Sequence, residues 1–310
     1  MAPTRLEQAL GSGRFALTAE LGPPKHADAG EVIGRAAPLA AVCHAINVTD
    51  NQTAQSRMAP LAAARLVIEA GGEPVMQLTV RDRNRLALTS DLLGASALGV
   101  HNTLSMGGDP IHLGNHPEAA EVRDIDTVQL LRLQAALRSG RFANEADEEL
   151  AGASPHLVIG ATAHPLADDP DVEIQKIRAK MDAGADFFQT QLVYDLDVLD
   201  GFLDRLRAAG LPRWPGLLVG VGPLKSHRMA RHMHDKVWGV SIPDAVMERM
   251  ESADDEQAEG SAVGVEILER LRETPGVAGA HVMAIAQEHI VPEVIERAGI
   301  AGAPAPLAGH

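Results

Sequence analysis

Along the 310-residue chain, short apolar runs alternate with longer stretches whose apolar positions recur at helical spacing. The runs are FALTAE (15–20), AINVTD (45–50), PVMQLTV (74–80), GVHNTLSM (99–106), HLVIGAT (156–162), DFFQTQLV (186–193), GLLVGV (216–221) and AHVMAIA (280–286). Between them, Ala, Leu, Glu and Arg predict helices over 30–43, 54–70, 84–95, 127–139, 171–184, 197–209, a longer region 227–273, and 290–298. Eight strand-helix units predict a closed (β/α)₈ barrel of the TIM type, one α/β domain over 1–310. Strands buried on both faces explain why the runs are nearly continuous rather than alternating. A doubly wound sheet produces the same local pattern, but no GxGxxG follows the first strand.

Two segments break the spacing. The stretch 107–126, GGDPIHLGNHPEAAEVRDID, has no helical period and predicts a long loop after the fourth strand, on the side where barrels build sites. The acidic run ESADDEQAEG (251–260) predicts a solvated surface linker within the domain.

Composition narrows the chemistry. Hydrophobic residues make up 45% but aromatics only 3%, so Ala, Val, Leu, Ile and Met must build the core. With 27 basic against 42 acidic residues the net charge is −15, which argues against nucleic acid or an anionic membrane as a partner. A single cysteine, Cys43 in AAVCHAINV, excludes an internal disulfide and reads as a buried structural thiol. MAPTRLEQAL lacks the features of a signal peptide, and no apolar run reaches the ~18 residues of a membrane span, which predicts a cytoplasmic protein.

In such a barrel the reactive groups stand at the carboxyl ends of the strands. Those ends deliver Glu20, then Thr49 and Asp50, then Gln77, Thr79 and Arg81, then Gly107-Gly108-Asp109. The later strands add Thr162 and His164, Gln189 and Gln191, Lys225, and Gln287. His101, His112 and His116 cluster without metal-ligand spacing, and no GxSxG elbow, P-loop or Schiff-base lysine is present. The carboxylates, amides and hydroxyls that remain suit proton transfer and the holding of a heterocycle. Arg81, first of the three arginines in RDRNR, is a candidate ligand for phosphate or carboxylate, with a solvated helix start as the alternative.

The order AELGPPK (19–25), NVTD (47–50), MGGDP (106–110), KMDAGADFFQTQLVYD (180–195), GVGPLKS (220–226) and SIPD (241–244) resembles the methylenetetrahydrofolate reductase family, from Arg14 to Ile300. The resemblance implies reduction of 5,10-methylenetetrahydrofolate to 5-methyltetrahydrofolate in a flavin-containing barrel, FAD being the expected flavin and NADH or NADPH the hydride donor. It implies that Glu20 is the general acid that protonates folate N10 and opens the ring to a 5-iminium cation. Asp109 would act electrostatically beside the flavin and folate, and Gln191 would contact nicotinamide and pterin. Thr49 would lie near the nicotinamide, and His164 and Lys180 would hold the ribityl or phosphate part. Asp50, Gln77, Gly107, Gly108 and Ala167 complete the cofactor-binding set that the resemblance implies, and Gln287 and Arg81 the substrate-binding set.

Four positions depart from the family pattern. Gly107 replaces an arginine, Gly160 a tyrosine four residues before His164, Gln77 a histidine and Gln287 a folate-binding arginine. The departures leave FMN, a companion subunit, or direct hydride transfer without flavin open beside FAD, and a non-catalytic folate- or flavin-binding subunit as a reading of another class. Outward helices of such barrels commonly associate, which predicts a homo-oligomer.

Overall fold

A computed structural model describes residues 2–285 and 287–300. Eight parallel strands close into a barrel in chain order: β1 (Ala16–Leu21), β2 (Ala45–Val48), β3 (Pro74–Thr79), β4 (Asn102–Met106), β5 (Val158–Ala163), β6 (Phe187–Leu192), β7 (Gly216–Val221) and β8 (Val277–Val282), with β8 pairing back onto β1. The predicted single-domain α/β barrel is the observed fold. Strands β1 to β7 fall within a few residues of their predicted runs. β8 starts and ends earlier than 280–286, because Ala284 and Ile285 prolong the apolar pattern beyond the last ladder bond; Ala286 lies outside the described residues.

Helices α2 (Ala29–Ala40), α3 (Pro60–Glu69), α4 (Arg85–Ala97), α5 (Thr127–Arg138), α6 (Pro170–Asp182), α7 (Leu196–Ala208) and α11 (Val291–Arg297) surround the strands. α3 starts at Pro60 rather than 54, because Asn51, Thr53 and Ala54 take left-handed backbone and Pro60 opens the helix. The region 227–273 divides into α8 (His227–Lys236), α9 (Asp244–Ser252) and α10 (Glu256–Glu273). The acidic run 251–260 is therefore not a linker. It spans the end of α9, a short break and the first turn of α10, where Asp255 caps Ala258 N at 3.0 Å and Glu256 accepts from His227 N at 3.0 Å. A Cβ on Gly260 would lie 1.8 Å from Leu224 O, so this turn packs directly on the β7 loop. No described helix is long and apolar enough to cross a membrane.

A further helix, α1 (Arg5–Ser12), precedes β1 and was not predicted. It closes the amino end of the barrel. Its Leu6 and Ala9 pack on a floor of Ala16, Ala45, Val75, Leu104, Val158, Phe187 and Leu218, while Glu73 accepts from Arg5 N and Leu6 N at 2.6 and 3.0 Å. The lumen is thus sealed below by apolar side chains, and above them polar ones stand at the same inward positions. Outside the strands, a second and larger core joins Leu17, Ile46, Met76, Ile159, Phe188 and Val219 to the helices, with Cys43 inside it. Burial pushes the Cys43 thiol up to about 12, which leaves it unreactive in the folded chain.

Gly160 sits in the middle of β5. A Cβ there would lie 2.4 Å from Phe187 Cζ and 2.6 Å from Thr103 O. The missing side chain is a packing requirement of the floor, so Gly160 takes nothing away from the mouth. Gly160→Ala is expected to destabilise the fold by about 2–3 kcal/mol, read as a lower midpoint in urea.

Candidate active site at the carboxyl end of the barrel

β1 ends in Glu20-Leu21, and Gly22-Pro23-Pro24 then turns the chain away; Leu21 packs outward and Glu20 inward. Glu20 is 27% exposed, and two groups approach one of its oxygens. Gln77 Nε2 lies 3.5 Å from Oε2, and His281 Nε2 3.8 Å from the same atom. Below, the lumen is polar and dry. Thr18 Oγ1 meets His281 Nδ1 at 2.9 Å and accepts from Gln189 Nε2 at 3.2 Å, and Gln189 Oε1 accepts from Asn47 Nδ2 at 2.6 Å. Five strands thus place Thr18, Asn47, Gln77, Gln189 and His281 in one buried layer beneath Glu20.

Beside Glu20 the loops after β2, β3 and β4 are locked together. Asp50 is buried, accepting from Thr79 N at 2.8 Å and Thr79 Oγ1 at 3.0 Å and pairing with Arg83. Burial raises its pKa, and Arg83 opposes that rise. Arg81 is 1% exposed: it forks onto Asp82 at 2.6 and 2.7 Å and donates to Asp109 O at 2.9 Å and Asn51 O at 3.3 Å. Its guanidinium is committed to these partners, and through them it ties the loops together. Asp50 likewise anchors these loops, through Thr79 and Arg83.

Asp109 remains exposed, its Oδ2 accepting from Thr53 N at 2.6 Å. Gly108 takes φ +81°, with a Cβ position 3.0 Å from Arg81 Cβ, so only glycine fits this turn. Gly107 faces open space. Thr49 Oγ1 donates to Gln52 Oε1 at 2.6 Å, and the Gln52 amide also lies over Gly22.

Across the mouth, His164 follows β5. Its backbone N donates to Glu173 Oε1 at 3.1 Å, its carbonyl accepts from Ala167 N at 3.1 Å, and its ring meets Trp238 edge to face at 4.8 Å. Nδ1 is buried without a partner. Burial, assisted by Lys180 and Lys176, holds its pKa down at about 4. Lys180 on α6 donates Nζ to Thr162 O at 2.5 Å; burial lowers its pKa and Glu173 opposes the shift. Gln191 reaches the mouth from a register shift in the β6–β7 pairing between Gln189 and Leu192, and it lies beside Gly239. Gln287 is buried with neither amide atom partnered.

The mouth therefore gathers Glu20, Gln77, Asp109, His164 and Gln191, and leaves Arg81 and Asp50 behind as supports. His281, Asn47, Thr18 and Trp238 were missed. The inward parity of β1 and β2 exposes Thr18 and Asn47 to a careful reader, and the histidine of AHVMAIA stood in the run itself.

A depressed His164 pKa has a consequence for stability. The unfolded ring titrates near 6.5 and the folded one near 4, so the contribution of neutral His164 is complete above about pH 6.5 and is lost as pH falls towards 4. The difference in Tm between the native chain and His164→Gln is expected to shrink across that window in thermal scans.

The structure is a closed (β/α)₈ barrel that presents a carboxylate among amides, above a buried polar layer, at the end where such barrels build their sites. The methylenetetrahydrofolate reductase family model matches residues 5–299, and the chain belongs to that family. Methylenetetrahydrofolate reductase 1 of Schizosaccharomyces pombe is 28% identical over 237 residues, covering 73% of this chain and 35% of the relative. The probable methylenetetrahydrofolate reductase (NADPH) of Caenorhabditis elegans is 23% identical over 244 residues, covering 77% and 34%. The chain spans about a third of the length of these relatives. Among solved structures, a protein from Clostridium thermocellum, described as binding two copies of 5-methyl-5,6,7,8-tetrahydrofolic acid, superposes with a TM-score of 0.65 at 15% identity, covering 95% of this chain and 98% of that one. At that identity the likeness establishes the fold.

Proposed function

We propose that this chain reduces 5,10-methylenetetrahydrofolate to 5-methyltetrahydrofolate with NADH or NADPH as hydride donor, Glu20 acting as general acid. One observation carries the reading: Glu20 stands half-buried at the mouth beside an amide and an imidazole, and among the described residues no Lys or Arg pairs with it. Membership of the family, and a fold neighbour described as binding methyltetrahydrofolate, support the substrate class.

In this reading Glu20 gives its proton to folate N10, the bond from N10 to the bridging carbon breaks, and the electron pair stays on N10. The carbon, now an N5 iminium, accepts the hydride and becomes the methyl group. Asp109, held by Thr53 N, supplies negative charge to the cation. Gln191 offers a donor and an acceptor to the pterin edge.

The residues present fit the ring and ribityl chain of a flavin. Gly107 leaves room for close backbone approach, Gly108 supplies the left-handed turn beside it, and the orphaned Nδ1 of neutral His164 awaits a hydrogen-bonding partner. His164, Gly107, Gly108 and Asp109 would hold the group, with Ala167 and Lys180 behind His164. When bound, a flavin supplies a hydride acceptor and donor between nicotinamide and folate.

A second reading, direct transfer from NAD(P)H to the folate, is favoured by a specific observation. Lys180 is turned onto Thr162 O and Arg81 onto Asp82, so neither expected cation faces the mouth to meet flavin phosphates. Purified protein given methylenetetrahydrofolate and NADH or NADPH is expected to form 5-methyltetrahydrofolate, identified by mass. No product with either donor overturns the function. Absorbance near 450 nm separates the routes, since activity without that band leaves direct transfer.

A further inference from the structure

His281 has no role in the chemistry described so far, yet it is buried at 3% exposure directly under Glu20. It lies on β8, paired in register with Thr18 of β1 on one side and Gly220 of β7 on the other. Its two ring nitrogens face different partners, Nδ1 the Thr18 hydroxyl at 2.9 Å and Nε2 the Glu20 carboxyl at 3.8 Å.

The hydrogen bonds beneath it lead to Thr18, with Gln189 Nε2 also donating back to Asn47 Oδ1 at 3.2 Å. Asn47 Nδ2 donates to Gln189 Oε1, and Gln189 Nε2 donates to Thr18 Oγ1. Thr18 Oγ1, already an acceptor, has its own proton to give, and His281 Nδ1 at 2.9 Å is a far better acceptor than Ala280 O at 3.5 Å. An imidazole that accepts at Nδ1 carries its hydrogen at Nε2. Nε2 lies 3.8 Å from Glu20 Oε2, the same oxygen that Gln77 Nε2 approaches at 3.5 Å. Both donors serve Oε2, and Oε1 is left to bear the proton.

We propose that His281 is the positioning residue of Glu20: neutral and protonated at Nε2, it donates to Oε2, turns Oε1–H towards the mouth, and stabilises the carboxylate that remains when that proton leaves. Donation requires the 27% exposed Glu20 side chain to rotate and shorten the 3.8 Å separation. A hydrogen bond to an ionised acceptor is stronger than one to a neutral acceptor, so the contact strengthens as the proton moves and favours the transfer. The other groups that meet the pair are Thr18 on β1, Gln77 on β3 and Gln189 on β6, with Gly220 beside His281 on β7; none of them titrates.

The inference rests on Glu20 acting as the acid, and its test separates the two. In the free protein, ¹⁵N NMR of His281 is expected to show the Nε2–H tautomer, with the preference lost in Thr18→Val; an Nδ1–H tautomer overturns the proposal without reference to activity. His281→Leu removes a donor that favours the ionised over the protonated carboxyl of Glu20. The alkaline limb of the kcat/KM profile is then expected to move up by about one pH unit, with kcat about tenfold lower and KM little changed. His281→Gln, which keeps an amide donor, is expected to restore most of kcat and guards against misfolding of the leucine variant. If Glu20→Gln abolishes turnover but the limb stays in place in both His281 variants, the positioning role fails and the acid stands. If Glu20→Gln remains active, it is the acid assignment that fails.

Discussion

Glu20→Gln is expected to slow formation of 5-methyltetrahydrofolate by about 10²–10⁴-fold, the usual range for loss of a positioned general acid. Glutamine has the same shape, so the lumen should stay intact: among the described residues Glu20's side chain meets Gln77 at 3.5 Å and His281 at 3.8 Å, both too distant for the fold to depend on them. What the amide lacks is a proton acidic enough to give to N10, and without that transfer the ring stays closed and no iminium forms. Calorimetric titration of the variant with NADH, NADPH and the folate is expected to match the native chain, placing the loss in kcat. A variant that cannot bind the folate, or that turns over at the native rate, would sink the assignment.

Arg81→Ala is expected to destabilise the chain by about 1.5–3 kcal/mol, the cost of losing charge-assisted hydrogen bonds from a buried guanidinium to a partly exposed carboxylate. The guanidinium ties three loops at once, through Asp82, Asn51 O and Asp109 O, and its removal leaves Asp82 without its main partner. The consequence reaches the mouth, because Asp109 and the left-handed turn at Asn51–Ala54 then lose a common anchor, and catalysis should weaken through Asp109. A lower midpoint in urea together with a fall in turnover supports this role. A raised KM with unchanged stability is the signature of a ligand-binding arginine and overturns it.

How much of this was legible in the chain depends on the range of the interaction. The strand GLLVGV was read to the residue, because a short apolar run bounded by Pro215 and Gly222 carries its own start and stop. AHVMAIA was read three residues late, because apolar pattern continues beyond the last ladder bond of β8. α1 escaped notice although Thr4 and Glu7 form a capping box whose T-x-x-E spacing is visible in the sequence. The acidic run was taken for a linker because charge density alone does not reveal that Gly260 packs on Leu224.

The candidate site divides the same way. Glu20, Asp109 and His164 follow from counting to the ends of strands, a local operation. The partners of Arg81 escaped for a non-local reason: an arginine near a strand end looks the same whether it faces solvent or is buried on Asp82 and two carbonyls. The crowding at Gly160 is alike, since only the neighbouring Phe187 and Thr103 show that the position has no room.

By itself, then, the sequence determined the alternation of strands and helices, the barrel they predict and the carboxylate that ends the first strand, because periodicity and turn chemistry act over a few residues. Only the tertiary structure decided what stands beneath that carboxylate. Thr18 and His281 are 263 residues apart in the chain and 2.9 Å apart in the lumen, and they meet because the last strand pairs with the first. Closure sets that register, and no local pattern along the chain encodes it.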